Sequence, residues 1–375
     1  MRILALATSL DRPEAAIFAG LKRLGAEVTV VGTPAPEHRE TLRNAEIDVV
    51  DYEFKTRFDL KGMLLLRRET KKRKIQIVYA LSNRALSSAV IGLVGVPVKL
   101  VTYRGTVGHI SWFDPTSWFT YLNKRVAKIL CVSKAVEDYL LEIGIPKERL
   151  ITIYKGHRPE WYNQGAIPNR PDFNLPKDAF VVGCTAVMRA VKGVDDLINA
   201  CAQLSAEIPN LYLLLIGSIK DPEIERAINE YPDRERIKLL GFRHDATNLA
   251  RLADVTVMAS KNREGFPKSV IEAMAQGVPA VVTAVGGMPE LVGHGEAGLL
   301  ANPCDPNSLA GCIKRLYQDP QLREQLGRVG AQRIETVFNV DRTIEQTYLV
   351  FAELVGAGNG QDFTTESSEN AEKQP

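Results

Sequence analysis

Short apolar runs separated by amphipathic stretches recur along almost the whole chain. In the first half the runs RILALAT, EVTVV, IDVV, IQIVYAL, VKLVTY, AKILCVS and ITIY each read as a strand. Between them lie stretches with apolar residues at helical spacing: about Pro13 to Leu24, 36 to 45, Leu60 to Lys74, Arg84 to Val94 and Lys134 to Ile143. Strand and helix in regular alternation predict a parallel sheet with helices on both faces. A second series follows with FVVGCTAV, a helix after Gly193, LYLLLIG, a helix near Pro222 to Tyr231, RIKLLG, a helix near Ala246 to Leu252, DVTVMAS and VPAVVT.

The two series are separated by IPNRPDFNLPK (residues 167–177), whose three prolines and sparse apolar residues mark a linker. The predicted organisation is a Rossmann-like domain over 1–165, a linker over 166–178 and a second such domain over 179–341. A last helix is expected near 342–355. Residues 356–375 are polar and read as a disordered tail.

A chain of 375 residues with 45% hydrophobic and 25% charged content has room for two cores. The net charge of +2 is unevenly divided: residues 1–165 hold 26 Lys and Arg against 17 Asp and Glu, and the remainder 21 against 28. A basic first half and an acidic second half imply different partners. The five cysteines are scattered, with no CxxC spacing, so neither a disulfide framework nor a zinc site is indicated and a reducing cytoplasm fits. MRILALATSL is too short an apolar run for a membrane span and lacks a small-residue cleavage site, so it reads as a first strand.

Candidate chemistry concentrates in Glu264 to Gly287, EGFPKSVIEAMAQGVPAVVTAVGG. Pro267 suits the start of a helix and Gly277 its end, and that helix is apolar nearly all round and therefore buried. Glu264 falls on the loop at the carboxyl end of a strand, where open α/β sheets bind ligands, and Glu272 on the second turn of the helix. Between them the amides of Lys268 to Val270 would offer an anion site. A ligand fitting all three carries hydroxyls at both ends and phosphate between, as a nucleoside diphosphate sugar does.

These residues resemble the signature of the retaining, GT-B-fold glycosyltransferases of family 4: Glu, seven residues, Glu in the setting EGFP…EAMA.GVP. The resemblance implies an α/β fold of two Rossmann-like parallel-sheet domains facing across a cleft, with the last helix crossing back to the first domain. It implies that Glu264 binds hydroxyls of the donor sugar and Glu272 the ribose, with Gly265, Phe266, Pro267, Lys268, Ser269 and Val270 lining the donor site. Arg189 and Lys192, on the loop after FVVGCTAV, resemble the family's pair that binds the donor phosphates and could stabilise charge on a departing diphosphate. Gly241, Phe242 and Arg243 match a turn that packs against the nucleobase, and His109, after VKLVTY, approximates the family's active-site histidine. As solvated loop cations or a solvated histidine these residues would be unremarkable, and Arg104 is a weaker candidate for the same cleft. With its cations supplied by Arg189 and Lys192, the site is expected to need no metal or other cofactor.

Four features stand apart. Thr8 to Pro13 (TSLDRP) replaces the glycine pair that many relatives carry after the first strand, and Tyr154 to His157 replaces a segment that usually ends in Asn-Gly; neither receives a role. The formal GxGxxG at Gly293 to Gly298 has neither the preceding strand nor the following helix of a dinucleotide site. Glu290, after the Gly286–Gly287 turn, reads as a helix-start carboxylate.

For the acceptor, Arg67 to Lys74 (RRETKKRK) gathers six cations, and Trp112, Phe113, Trp118 and Phe119 cluster after His109. Together they suggest docking on the anionic inner face of a membrane to meet a glycan or lipid-linked acceptor, while a solvated helix end and core aromatics account for them equally. No nucleic-acid-binding motif accompanies the charge. The expected activity is retaining transfer of a hexose-type sugar in lipopolysaccharide or cell-surface polysaccharide synthesis, by same-face attack assisted by the leaving phosphate. The alternatives are a sugar-nucleotide 2-epimerase and a catalytically silent sugar-nucleotide-binding partner in a polysaccharide assembly complex.

Overall fold

Every apolar run of the two series becomes a parallel strand. In the computed structural model, which describes residues 1–356, the first sheet contains β1 (Arg2–Ala7), β2 (Glu27–Gly32), β3 (Asp48–Asp51), β4 (Ile77–Ala80), β5 (Lys99–Arg104), β6 (Val126–Cys131) and β7 (Leu150–Thr152). They lie in the order β3-β2-β1-β4-β5-β6-β7. The crossovers are α1 (Arg12–Arg23), α2 (Pro36–Asn44), α3 (Leu60–Lys72), α4 (Asn83–Gly92) and α5 (Lys134–Glu142). Their starts are written in the sequence: Asp11, Asp59, Ser82 and Ser133 each accept a hydrogen bond from an amide of the first turn of α1, α3, α4 and α5. At α1 the reciprocal bond from the Asp11 amide to Glu14 completes a capping box.

The second sheet contains β8 (Phe180–Thr185), β9 (Leu211–Ile216), β10 (Ile237–Gly241), β11 (Val255–Met258), β12 (Ala280–Thr283) and β13 (Gly298–Ala301), in the order β10-β9-β8-β11-β12-β13. Its helices are α6 (Val194–Leu204), α7 (Pro222–Asn229), α8 (Ala246–Leu249), α9 (Lys268–Ala275), α10 (Met288–Leu291), α11 (Pro306–Gln318) and α12 (Pro320–Thr336). The strand β13 and the helices α11 and α12 extend the second series beyond the elements read from the sequence. Strands such as β1 and β9, with side chains buried on both faces, show why the runs lack alternation.

The last helix, α13 (Val340–Leu354), returns to the first sheet, where Ile344, Val350 and Phe351 join the core of Phe18 and Leu21 from α1. Between the sheets, Leu175 is buried in the second core and Arg170 pairs with Asp254 at 2.8 Å, so the proline-rich segment is packed rather than free. The tail expected over 356–375 lies, apart from Gly356, outside the described residues.

The carboxyl edges of the two sheets face each other. Loops leaving β5 and β6 meet loops leaving β11 and β12, and at two points a glycine lets them come close, once against backbone and once against a side chain. A Cβ on Gly265 would lie 2.0 Å from the Gly105 carbonyl oxygen, and one on Gly287 2.8 Å from the Ser133 Cβ. Among the described residues no helix is long and apolar enough to cross a membrane.

Candidate functional site

Strand order decides which loops can share a ligand. In the second sheet the strand order reverses between the parallel neighbours β8 and β11, the switch point at whose carboxyl end doubly wound sheets bind. The loop after β8 carries Arg189 and Lys192, and the loop after β11 carries Glu264. The structure closes them on each other: Lys192 Nζ donates to Glu264 Oε2 at 2.5 Å, and Ser260 Oγ donates to the same oxygen at 2.8 Å. Both side chains are mostly buried, 26% exposed for Lys192 and 13% for Glu264. Arg189 is exposed, and its side chain makes no hydrogen bond or ion pair among the described residues.

The next helix, α9, starts immediately beyond. Pro267 is its N-cap and has no side chain with which to satisfy the first amides. Val270 N already bonds the Pro267 carbonyl at 3.0 Å, so of the three amides expected to be free only those of Lys268 and Ser269 lack a partner among the described residues. Glu272, 8% exposed, is held by Thr247 Oγ1 at 2.9 Å and approached by Lys268 Nζ at 3.4 Å. It lines an interdomain cleft of about 560 Å³ together with Lys268, Thr247, His244, Tyr162 and Arg12. Phe266 packs its ring against Tyr154 and Phe338 and so anchors the loop.

Of the turn after β10, the residue that reaches this cleft is His244, not Phe242 or Arg243. Phe242 stands 69% exposed with its edge on His244, Arg243 is bonded to Asp245, and Gly241 accepts the Gly217 amide on its carbonyl.

His109 faces the second domain across the cleft. Its Nε2 lies 3.0 Å from Arg263 Nη1, and because a guanidinium can only donate, Nε2 accepts and the ring proton sits on Nδ1. Both residues are in the left-handed region, with φ of 63° and 57°, a conformation non-glycine residues hold only when their surroundings fix it. Arg104 does not enter the cleft. It is buried, bonded to the carbonyls of Thr106 and Gly108, and lies over the Tyr121 ring, where it shapes the His109 loop.

The segments left without a role prove to be partners. Lys155, its side chain 17% exposed, donates through Nζ to Asp11 Oδ2 at 2.7 Å and Glu14 Oε1 at 2.9 Å. Burial alone would lower the lysine pKa, but Glu14, Tyr103 and Asp11 outweigh it and hold Lys155 charged. Burial pushes Glu14 above the usual carboxylate range. Burial also acts upward on Asp11, but Lys155, the Glu14 amide and Lys268 outweigh it and hold Asp11 low. Arg12, the next residue, and Lys268 line the same cleft, so the first loop faces the tip of α9. Arg12 donates to the Trp161 carbonyl at 3.0 Å and lies over its ring. His157, pushed down to about 3 by burial and then by Lys155, bonds Tyr162 through Nδ1 at 2.5 Å.

Glu290 lies in the first turn of α10, as a helix-start carboxylate should, and also serves a second helix. Its two carboxylate oxygens accept the backbone amides of Lys134 and Ala135, both at 2.8 Å, and Tyr154 OH at 3.1 Å, so a carboxylate of the second domain caps α5 of the first. The capping box Asp11-x-x-Glu14 was visible in the sequence; the distant partners of Lys155, Arg263 and Glu290 carried no local signal.

Two family models match the chain: "Glycosyltransferase Family 4" over residues 16–161 and "Glycosyl transferases group 1" over residues 167–333. Among curated relatives, the N-acetyl-alpha-D-glucosaminyl L-malate synthase of Bacillus anthracis is 22% identical over 288 residues, 75% of this chain and 74% of its own. The capsular polysaccharide biosynthesis glycosyltransferase CapM of Staphylococcus aureus is 26% identical over 309 residues, 75% of this chain and 77% of its own. The crystal structure of Anabaena Alr3699/HepE in complex with UDP superposes with a TM-score of 0.78 at 22% identity, covering 94% of this chain and all of that one. The same protein has been solved with UDP-glucose, with a TM-score of 0.75.

Proposed function

Because the chain belongs to the family-4 glycosyltransferases of GT-B fold, we propose that it moves a hexose-type sugar, with retention, from a nucleoside diphosphate to a hydroxyl of a glycan or lipid-linked acceptor in cell-surface polysaccharide synthesis. The observation that carries this reading is the Lys192–Glu264 pair at the switch point, one loop away from the unpartnered Lys268 and Ser269 amides, with buried Glu272 lining the cleft beyond. CapM's role in a capsular polysaccharide and the UDP-glucose held by HepE support the acceptor class and the donor class.

In this reading Glu272, fixed by Thr247, accepts hydrogen bonds from the ribose hydroxyls, and Glu264 accepts from hydroxyls of the sugar. The diphosphate lies at the tip of α9, where two amides and the helix dipole meet its charge. Lys192 and Arg189 neutralise the phosphate as the bond from C1 to its oxygen breaks and the electron pair passes to that oxygen. The acceptor hydroxyl oxygen bonds to C1 from the same face and gives its proton to the departing phosphate oxygen, leaving glycoside and nucleoside diphosphate. His109, with Nδ1 protonated and Nε2 engaged by Arg263, lines the space of the transferred sugar and can donate there. No metal is called for in this scheme.

Incubation with radiolabelled nucleoside diphosphate sugars tests it. Glycoside formation or slow donor hydrolysis is expected; recovery of an isomerised sugar indicates an epimerase, and donor bound but unchanged indicates a silent partner.

A further inference from the structure

We propose that a hydrophobic knob beside the His109 loop docks on an anionic lipid bilayer. The aromatic residues after His109 are not core residues: Phe113 is 97% exposed, and Trp112, Trp118 and Phe119 are all exposed. A second segment, leaving β3, joins them. Phe58 meets Phe119 edge to face at 5.3 Å, and Leu60 and Leu64 on α3 stand 70% and 64% exposed. The rings brace one another, Trp112 against Trp118 at 4.9 Å, with the Trp118 indole N–H on the Trp112 carbonyl at 3.0 Å. This is a fixed apolar surface, larger than scattered exposed residues explain.

Its surroundings select the occupant. Residues 55–74 hold nine Lys and Arg against two Asp and Glu. Several of those cations are already used: Arg67 bonds the carbonyls of Gly92 and Val94, and Arg68 and Arg73 pair with Glu69. Lys55, Arg57, Lys61, Lys71 and Lys72 make no side-chain hydrogen bond or ion pair among the described residues. On α3 the exposed positions Leu60, Lys61, Leu64, Arg68 and Lys71 share one face, apolar toward the cleft and cationic away from it. Aromatic rings with flanking cations suit the interface of an anionic membrane, whereas a second copy of this chain would bring like charges together. Both segments leave the carboxyl edge of the first sheet, the edge that bears His109, so docking would set the mouth of the cleft against the headgroups.

Sedimentation of the full chain with extruded vesicles, read without reference to sugar transfer, tests the proposal. Partition onto phosphatidylcholine vesicles containing about 30 mol % phosphatidylglycerol should exceed that onto phosphatidylcholine alone and fall in about 0.5 M salt. The variant Arg57→Glu/Lys61→Glu should bind at least about 30-fold more weakly, about fivefold for each cation lost. The variant Leu60→Ser/Leu64→Ser/Phe113→Ser, at positions too exposed to disturb the core, should also lose binding. Equal partition onto both vesicle types, undiminished binding by the serine variant, or a dimer in light scattering that the serine variant dissolves would each overturn it.

Discussion

If Lys192 acts on the leaving diphosphate, its replacement should damage the rate far more than the fold. Lys192→Met removes the ammonium and keeps much of the stem. In the free protein the lost contact is one charge-assisted hydrogen bond, 2.5 Å long, to a carboxylate that retains Ser260. Such bonds contribute about 1.5–3 kcal/mol. Because Lys192 is 26% exposed and Glu264 keeps a donor, the low end applies, roughly 1–2 kcal/mol, with each kcal/mol worth about 2–4 °C in Tm. In the transition state the loss is a cation beside developing phosphate charge, about 2.7–4 kcal/mol or 10²- to 10³-fold in kcat. Initial rates at saturating donor, donor affinity by calorimetry and thermal unfolding separate the effects. A role confined to the transition state leaves the donor Kd nearly unchanged while kcat falls. Normal kcat with a lowered Tm would make the pair purely structural and remove Lys192 from the mechanism.

Three further outcomes follow from the site and its supports. Glu272→Ala should abolish the roughly 2.7 kcal/mol stabilisation that a nucleotide gives at 100 times its Kd, and Thr247→Val, which only loosens Glu272, should reduce it; unchanged thermal shifts would remove the ribose contact. Glu290→Ala strips two amides of α5 of their cap and should cost about 0.5–2 kcal/mol, seen as looser interdomain packing in small-angle scattering and faster proteolysis between the sheets. His157 titrates near its ordinary value when unfolded but only at about 3 when folded, so stability is complete above about pH 6.5 and declines as pH falls toward 3, by up to about 1.4 kcal/mol per unit. Urea midpoints across that range should show a shallower decline for His157→Gln than for the parent.

Much of the architecture could be read from one dimension, because buried parallel strands have to be apolar throughout and the intervening helices announce their starts with Asp and Ser caps. What escaped lay either beyond the last strand read in the second series or between residues remote in sequence. The strand β13, GLLA, follows directly on a glycine-rich turn and reads as part of that loop. In the site, Glu264, Lys192 and Glu272 were legible since each belongs to a strand-end motif, and β-strand order then brought the first two together. Lys155 was not, because its meaning lies in carboxylates 144 and 141 positions away, and nothing near it in sequence says that it is mostly buried. Arg263 likewise meets His109 across 154 positions. Of the turn after β10, His244 is the residue that lines the cleft, while Phe242 is exposed, a placement that the run RIKLLG does not announce.

The tight junctions at Gly265 and Gly287 limit how this enzyme can be recombined. A hybrid that grafts a donor half from another transferase onto this first half has to present hydrogen-sized residues at both places, since even alanine would press within 2.0 Å of the Gly105 carbonyl oxygen or 2.8 Å of the Ser133 side chain. Specificity can therefore be exchanged as a cassette only among halves that share both glycines, and other grafts would hold the two lobes apart.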